Sequence, residues 1–266
     1  MDSYVKYYKA NKINIRELKI SHNNLHGAKS HLHEELTIGL AQKGASNICM
    51  NGEVYHIKEG DLFFIGSYIS HSCNPVDKSI WKYTMIYMTE NHGQDLFDSV
   101  DISDRVVVKS LDLKAQEELL ELMMQVKNDG LEKDSVIKLD LKLKYYYDTA
   151  DKNKKFSKIE DLEEIKKYIE NHYTENFSIE NLSELFNIEK FALIRKFKKH
   201  YLITPISYKT QLRLDYAKHL LLTEKNISTV AYKSGYYDQA HFTKEFRVVY
   251  GITPLQYQNS INDKKL

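Results

Sequence analysis

Over residues 13 to 90, apolar and polar positions alternate in short runs broken by turn residues. Leu36, Ile38 and Leu40 alternate with polar neighbours, the spacing of a half-buried strand. The pair Asn51-Gly52 predicts a two-residue hairpin turn. Val54-Tyr55-His56-Ile57 comes next, then a turn at Glu59-Gly60-Asp61, then strands at Leu62-Phe63-Phe64-Ile65 and Trp81 to Met88. Short strands with frequent turns predict a sandwich or barrel. From 111 to 147 the period becomes helical: Leu113, Leu119, Leu120, Met123 and Val126, then Val136, Leu139, Leu141 and Leu143 to Tyr147, with Asn128-Asp129-Gly130 between. Such helices either cover the strands or offer an edge to a second copy of the chain. Asp148 to Lys155 is almost devoid of apolar residues and predicts a linker.

Beyond the linker every segment predicts helix. Ile159, Leu162, Ile165, Ile169 and Tyr173 share one face. Ser178 is placed to cap the next helix, with Asn181 at the capping-box position, and Ile179, Leu182, Leu185 and Phe186 are expected inward. The phrase FKKHYLITPISY (197–208) then returns as FRVVYGITPLQY (246–257), 49 positions later. A fixed offset means that one structural unit is used twice. Each copy comes after a short helix, a turn and a second helix ending in cations. Thr204-Pro205 opens the long helix joining the units, Gly235 permits a tight second turn, and Asp238 caps the helix that begins at Gln239. Ser183 and Ala231 are small where the paired helices must cross, and their spacings to Phe197 and Phe246 (14 and 15) make the second turn one residue longer.

Charge sharpens this division. The net charge is +1, but residues 151–266 hold 20 Lys and Arg against 15 Asp and Glu, while the remainder holds 18 against 22. Within 190–250 the count is 12 basic against 4 acidic. A basic C-terminal lobe calls for a polyanion partner there only. No apolar run is long enough to span a bilayer, and the N-terminal residues lack an apolar signal segment. Cys49 and Cys73 form neither a metal motif nor a disulfide framework. A cytoplasmic protein with no membrane partner is expected.

Helix-turn-helix units present the N-terminal turns of their second helix to base edges. In the first unit that selects Phe191, Ile194 and Arg195, with Glu189 also outward; in the second it selects Gln239, Ala240, His241, Thr243 and Lys244. Arg195 and Lys244 occupy equivalent places in the repeat. Arg binds guanine, and Gln binds adenine, through two hydrogen bonds, while Phe and Ile meet thymine methyls. Lys198 and Lys199 lie farther along, suited to phosphates. Arg213, mid-helix, is expected to pair with an internal acid.

In the N-terminal half His31 and His33 flank Leu32, so on a strand they share a face, and His71 comes after the Phe63-Phe64 strand. HLHEELTIGLAQKG and EGDLFFIGSYISHSCNP resemble the small cupin barrel, in the form used as the sensory domain of AraC-type regulators. Residues 160 to 258, through RLDYAKHLLLTEKNISTVAYKSGYYDQAHFTKEFRVVYGITPLQY, resemble the AraC-type DNA-binding domain. Tyr236 stands where that family usually has Phe, and Ile194 where a polar residue is common.

The resemblance implies a multidomain α+β chain. A cupin-like β-barrel with trailing helices, over 1–150, would sense a small molecule and dimerise. An all-α domain with two helix-turn-helix motifs, over 156–266, would read double-stranded DNA. Expected partners are DNA, an unidentified small-molecule effector, a second copy of the chain and RNA polymerase. His31, His33 and His71 are the expected ligand-binding residues. Metal-binding cupins carry a further Glu where Thr37 and Ile38 stand here, so a pocket without metal or other cofactor is the expectation. The competing reading is a metal-dependent cupin enzyme fused to a helical module.

Overall fold

The computed structural model describes residues 4–9, 15–22, 30–50, 53–97, 106–126, 133–151 and 160–262. The expected turn at Asn51-Gly52, the helix break at Asn128-Asp129-Gly130 and residues 152–155 of the expected linker lie outside them.

All the described strands precede residue 111: β1 (Tyr4–Lys9), β2 (Ile15–His22), β3 (Leu36–Lys43), β4 (Ala45–Met50), β5 (Glu53–Lys58), β6 (Asp61–Ile65), β7 (Ser72–Pro75), β8 (Lys82–Met88) and β9 (Val106–Ser110). A short helix, α1 (Glu90–Leu96), precedes β9. The strands form two antiparallel sheets, ordered β1-β2-β8-β3-β6-β9 and β5-β4-β7. The β-rich architecture is as expected, but the barrel is not closed: no hydrogen-bonded ladder joins the two sheets among the described strands. Ile48, Met50 and Ile57 of the small sheet instead share a core with Phe63, Ile65 and Met85 of the large one.

β3 departs from the half-buried pattern, because residues 36 to 41 are buried on both faces. Leu36, Ile38 and Leu40 pack under α2 (Leu113–Gln125) and α3 (Lys133–Asp148), against Leu119, Met123, Leu139 and Leu143. The intervening Thr37, Gly39 and Ala41 face the space between the sheets, where small size rather than polarity is required. A Cβ on Gly39 would lie 2.1 Å from the Phe63 ring.

The C-terminal half is helical: α4 (Glu160–His172), α5 (Ile179–Leu185), α6 (Lys190–Tyr201), α7 (Pro205–Leu221), α8 (Ile227–Lys233), α9 (Gln239–Tyr250) and α10 (Pro254–Asn262). Its caps obey the local chemistry. Ser178 and Asn181 form the reciprocal box at α5, and Thr204 accepts from the Ser207 N–H with Pro205 in the first turn of α7. Leu182 and Phe186 face inward, four residues apart, whereas Leu185 is 56% exposed because it lies off that stripe.

The two turns are built alike. Ile188 N–H donates to Ser183 O at 3.0 Å, and Tyr236 N–H donates to Ala231 O at 2.9 Å. Asn187 and Gly235 both take the left-handed conformation, at φ 50° and 86°. The extra residue of the second turn is therefore Tyr237, which is 99% exposed.

The halves dock through β1, β2 and β8 on one side and α7, α9 and α10 on the other. Tyr7, Tyr83 and Tyr87 share a buried cluster with Leu214, Ala217, Tyr250 and Tyr257. Glu17 accepts from Lys218 Nζ at 2.9 Å and from Tyr257 Oη at 2.6 Å, all buried. Burial opposes the charge on Lys218, but Glu17 and Glu35 outweigh it and hold the lysine well above its ordinary pKa. No helix of the described residues is long and apolar enough to cross a membrane.

Candidate nucleic-acid interface and sensory cavity

α6 and α9 are the second helices of the two units, and each is held by an inward stripe. Leu193 and Phe197 of α6, and Phe242, Phe246 and Tyr250 of α9, are buried. The opposite faces are open to solvent. Phe191, Arg195, Lys198 and Lys199 are exposed on α6, with Ile194 partly so. Gln239, Ala240, His241 and Lys244 are exposed on α9, with Thr243 partly so. Phe191 is 66% exposed, so core packing does not account for it.

Two expectations change, the outward role of Glu189 and the ion pair of Arg213. Glu189 is the N-cap of α6, accepting from the Phe191 and Ala192 N–H groups at 2.9 and 2.7 Å. Those bonds hold its carboxylate below its ordinary pKa and fix it to its own backbone. Arg213 pairs with no acid among the described residues; its Nε and Nη2 donate to the Tyr173 and Glu175 carbonyls at 2.6 and 2.9 Å, tying α7 to the segment after α4. Asp238 caps α9 through the His241 N–H at 2.7 Å. Gln239 Oε1 accepts from Ser228 Oγ at 2.5 Å, so a two-bond contact with adenine requires that bond to be exchanged.

A groove of about 710 Å³ runs beside α9, lined by Gln239, Ala240, Thr243, Lys244 and Arg247. Arg247 is absent from the residues selected by sequence. The repeat could have found it, since Lys198 stands 49 positions earlier in the equivalent place.

The second site lies at the other end of α9. His31, His33 and His71 are buried and meet, with ring centroids 4.6 to 5.1 Å apart. They do not sit on a regular strand. A two-way backbone pair, His31 N–H to His71 O and the reverse at 2.8 Å each, brings them together, and Tyr68 N–H donates to His33 O at 2.7 Å. Leu32 points the other way, into the core of the first helix-turn-helix unit. Burial holds the His71 imidazole down to about 4 despite its bond to the Ile69 carbonyl. Burial, then the other two histidines, hold His33 well below its ordinary value.

The cavity these rings line is about 50 Å³ and also includes Lys19, Phe63, Tyr83 and Tyr87. One wall comes from the C-terminal end of α9: Val248, Val249, Tyr250 and Gly251. Beside it, Tyr250 Oη donates to Asp215 at 2.5 Å. Burial and then Glu35 raise the Asp215 carboxyl to about 8.

A β-rich domain with a cavity walled in part by α9, joined to paired helix-turn-helix units with cationic outer faces, defines a DNA-binding regulator with a sensory domain. Residues 16–138 match the family described as an AraC-like ligand binding domain, and residues 182–260 match a helix-turn-helix domain family. The chain is 27% identical over 220 residues to the HTH-type transcriptional regulator YbfI of Bacillus subtilis, covering 80% of each. It is 24% identical over 245 residues to the lactose operon transcription activator of Staphylococcus xylosus, covering 87% of each. The crystal structure of ToxT from Vibrio cholerae shares the fold, with a TM-score of 0.58 at 13% identity over 98% of both chains. Another ToxT structure is bound to an unsaturated fatty acid. The chain belongs to the AraC-type transcription regulators, with an AraC-like ligand-binding domain ahead of a helix-turn-helix domain.

Proposed function

We propose that a small molecule entering the histidine-lined cavity controls how α6 and α9 engage DNA. The observation that carries this reading is the double duty of α9. Its N-terminal turns expose Gln239, Ala240, His241, Thr243 and Lys244, while its C-terminal residues wall the cavity. A ligand changes DNA affinity only if it binds one arrangement better than another. Pockets for ordinary organic ligands measure about 300–1,000 Å³, so a cavity of about 50 Å³ must open to admit one. Opening through the wall formed by Val248, Val249, Tyr250 and Gly251 would displace the end of α9. On this reading residues 1–150 sense and residues 156–266 bind DNA.

Base contacts are assigned to Arg195 and Lys244, with Phe191, Ile194, Gln239, Ala240, His241 and Thr243 beside them. Phosphate contacts are assigned to Lys198, Lys199 and Arg247. Selection of bound duplexes from a random pool, with and without a panel of metabolites, gives the site and its response. Arg195→Ala and Lys244→Ala should each weaken specific binding by about 1–3 kcal/mol, and Lys199→Ala should weaken all sequences and lower the salt slope by about 1. A footprint unchanged in all three variants rejects the assignment.

The dimer is assigned to α3. Ile137, Leu141 and Tyr145 form an exposed stripe at four-residue spacing, opposite the buried Val136, Leu139 and Leu143. Contact with RNA polymerase belongs to the same reading if the regulator activates.

A further inference from the structure

We propose that Glu180 and Ser228 are positioning residues that set which base each helix-turn-helix unit reads, by holding the first side chain of α6 and of α9 so that it offers only hydrogen-bond donors to DNA. The inference rests on the proposed base-reading faces of those two helices. Each unit has an N-cap on its first helix, Ser178 or Asn226, and another on its second, Glu189 or Asp238. In each, the second residue of the first helix bonds the first residue of the second helix. Lys190 Nζ donates to Glu180 Oε1 at 2.6 Å, and Ser228 Oγ donates to Gln239 Oε1 at 2.5 Å. Glu180 and Ser228 lie 48 positions apart, Lys190 and Gln239 49, the difference being the extra residue of the second turn. The contact therefore belongs to the repeated unit and is made twice, with different chemistry.

Folding stability does not account for it. The Lys190 and Glu180 side chains are 39% and 54% exposed, and Ser228 and Gln239 are exposed too. Pairs so open to water add little to stability. What the bonds do is restrict long side chains, which otherwise lose rotational freedom on meeting DNA. Lys190 Nζ also lies 5.5 Å from the centroid of the exposed Phe191 ring, so its ammonium is held between an acid on α5 and its own neighbour. The Lys190 bond is the largest of the causes that hold the Glu180 carboxylate down to about 2, so the acid is ionised near neutral pH. Lysine carries donors only. A free glutamine amide offers a donor and an acceptor, the pattern that matches adenine. With the Ser228 hydroxyl on Oε1, that oxygen is turned back to α8 and the amide NH2 is the end left for DNA. In the major groove guanine presents two acceptors, O6 and N7, whereas adenine presents one acceptor and a donor. Guanine is thus the base for both Lys190 and Gln239.

The test is selection of bound duplexes from a random pool by the full-length protein and its variants, followed by affinities for single-base-substituted duplexes. Two positions should carry guanine, one whose preference is lost in Lys190→Ala and one in Gln239→Ala. Ser228→Ala should raise affinity for adenine relative to guanine about 10-fold, at the Gln239 position alone. Ser228→Thr, which keeps the hydroxyl, should restore guanine. Glu180→Ala should lower discrimination about 10-fold at the Lys190 position alone, while tightening binding to every sequence because a negative charge leaves the interface. In a Gln239→Ala background Ser228→Ala should have no further effect on base preference, and in a Lys190→Ala background nor should Glu180→Ala. Adenine at the Gln239 position in the parent would overturn the proposal. So would a preference that changes in Gln239→Ala but not in Ser228→Ala, an outcome that leaves the base-reading face intact. A lowered melting temperature with unchanged base preference would make the contacts structural and overturn it as well. If Arg195→Ala, Lys244→Ala and Gln239→Ala all leave the selected sequence unchanged, the base-reading assignment itself fails and the proposal falls with it.

Discussion

Asp215 shows what a single buried carboxyl does to this molecule. Its Oδ1 accepts from Tyr250 and Gln211, while Oδ2 is buried without a partner. The folded state holds its proton up to about pH 8, whereas the ordinary value is 3.8. Between those limits the folded protein binds the proton and the unfolded chain does not, so stability falls as pH rises through that window. Asp215→Asn keeps an oxygen for Tyr250 and removes the titration. Its melting temperature should exceed the parent's near pH 8, and the gap should shrink towards pH 4. Gly235 is a second such residue. At φ 86° a side chain is strained, and a Cβ would meet the Thr174 carbonyl at 2.6 Å. Gly235→Ala should destabilise by about 1–3 kcal/mol in urea melts. The sequence exposes the need for glycine there through the turn, but not the protonation of Asp215, because nothing near it in the chain reveals which groups fold against it.

At the scale of elements, the 49-residue repeat made most of the helical half legible. Thr204-Pro205, Asp238, Ser178 and Gly235 mark helix ends through chemistry that operates within a few residues, and the structure places each at its helix end or turn. Elsewhere the local signal is ambiguous. Thr37, Gly39 and Ala41 look like the wet face of a strand but fit a crowded space between sheets. Glu189 looks like an outward acid but closes the end of its own helix. On α3 one stripe, with Leu139 and Leu143, covers the sheet, and the other, with Ile137, Leu141 and Tyr145, is exposed and is the stripe to which the proposed dimer is assigned. Leu141→Glu should therefore shift the protein from dimer to monomer in analytical ultracentrifugation without changing its circular dichroism. A dimer that persists would remove the helix from the interface.

At the scale of the whole molecule, the two halves are joined by a buried charge pair within an aromatic cluster. Lys218 lies 5.1 to 6.0 Å from the ring centroids of Tyr7, Tyr87, Tyr250 and Tyr257 while it pairs with Glu17. Removing one partner leaves a buried charge with little compensation. Lys218→Ala should cost about 3–5 kcal/mol, and the double variant Glu17→Gln, Lys218→Met should recover most of it. Equilibrium unfolding in urea measures both. Equal losses in the single and double variants would mean that the pair is not what holds this contact.

Periodicity, caps and the duplicated phrase specify helices, strands and the cationic faces of α6 and α9, because those properties arise between neighbours along the chain. The closeness of His31 and His33 to His71, the open sheets in place of a sealed barrel, and the seat of α9 against the cavity depend on contacts between residues far apart in the chain. Glu17 and Lys218 are separated by 201 positions. Such pairs meet only when the cores they border have formed, and no local pattern encodes that meeting.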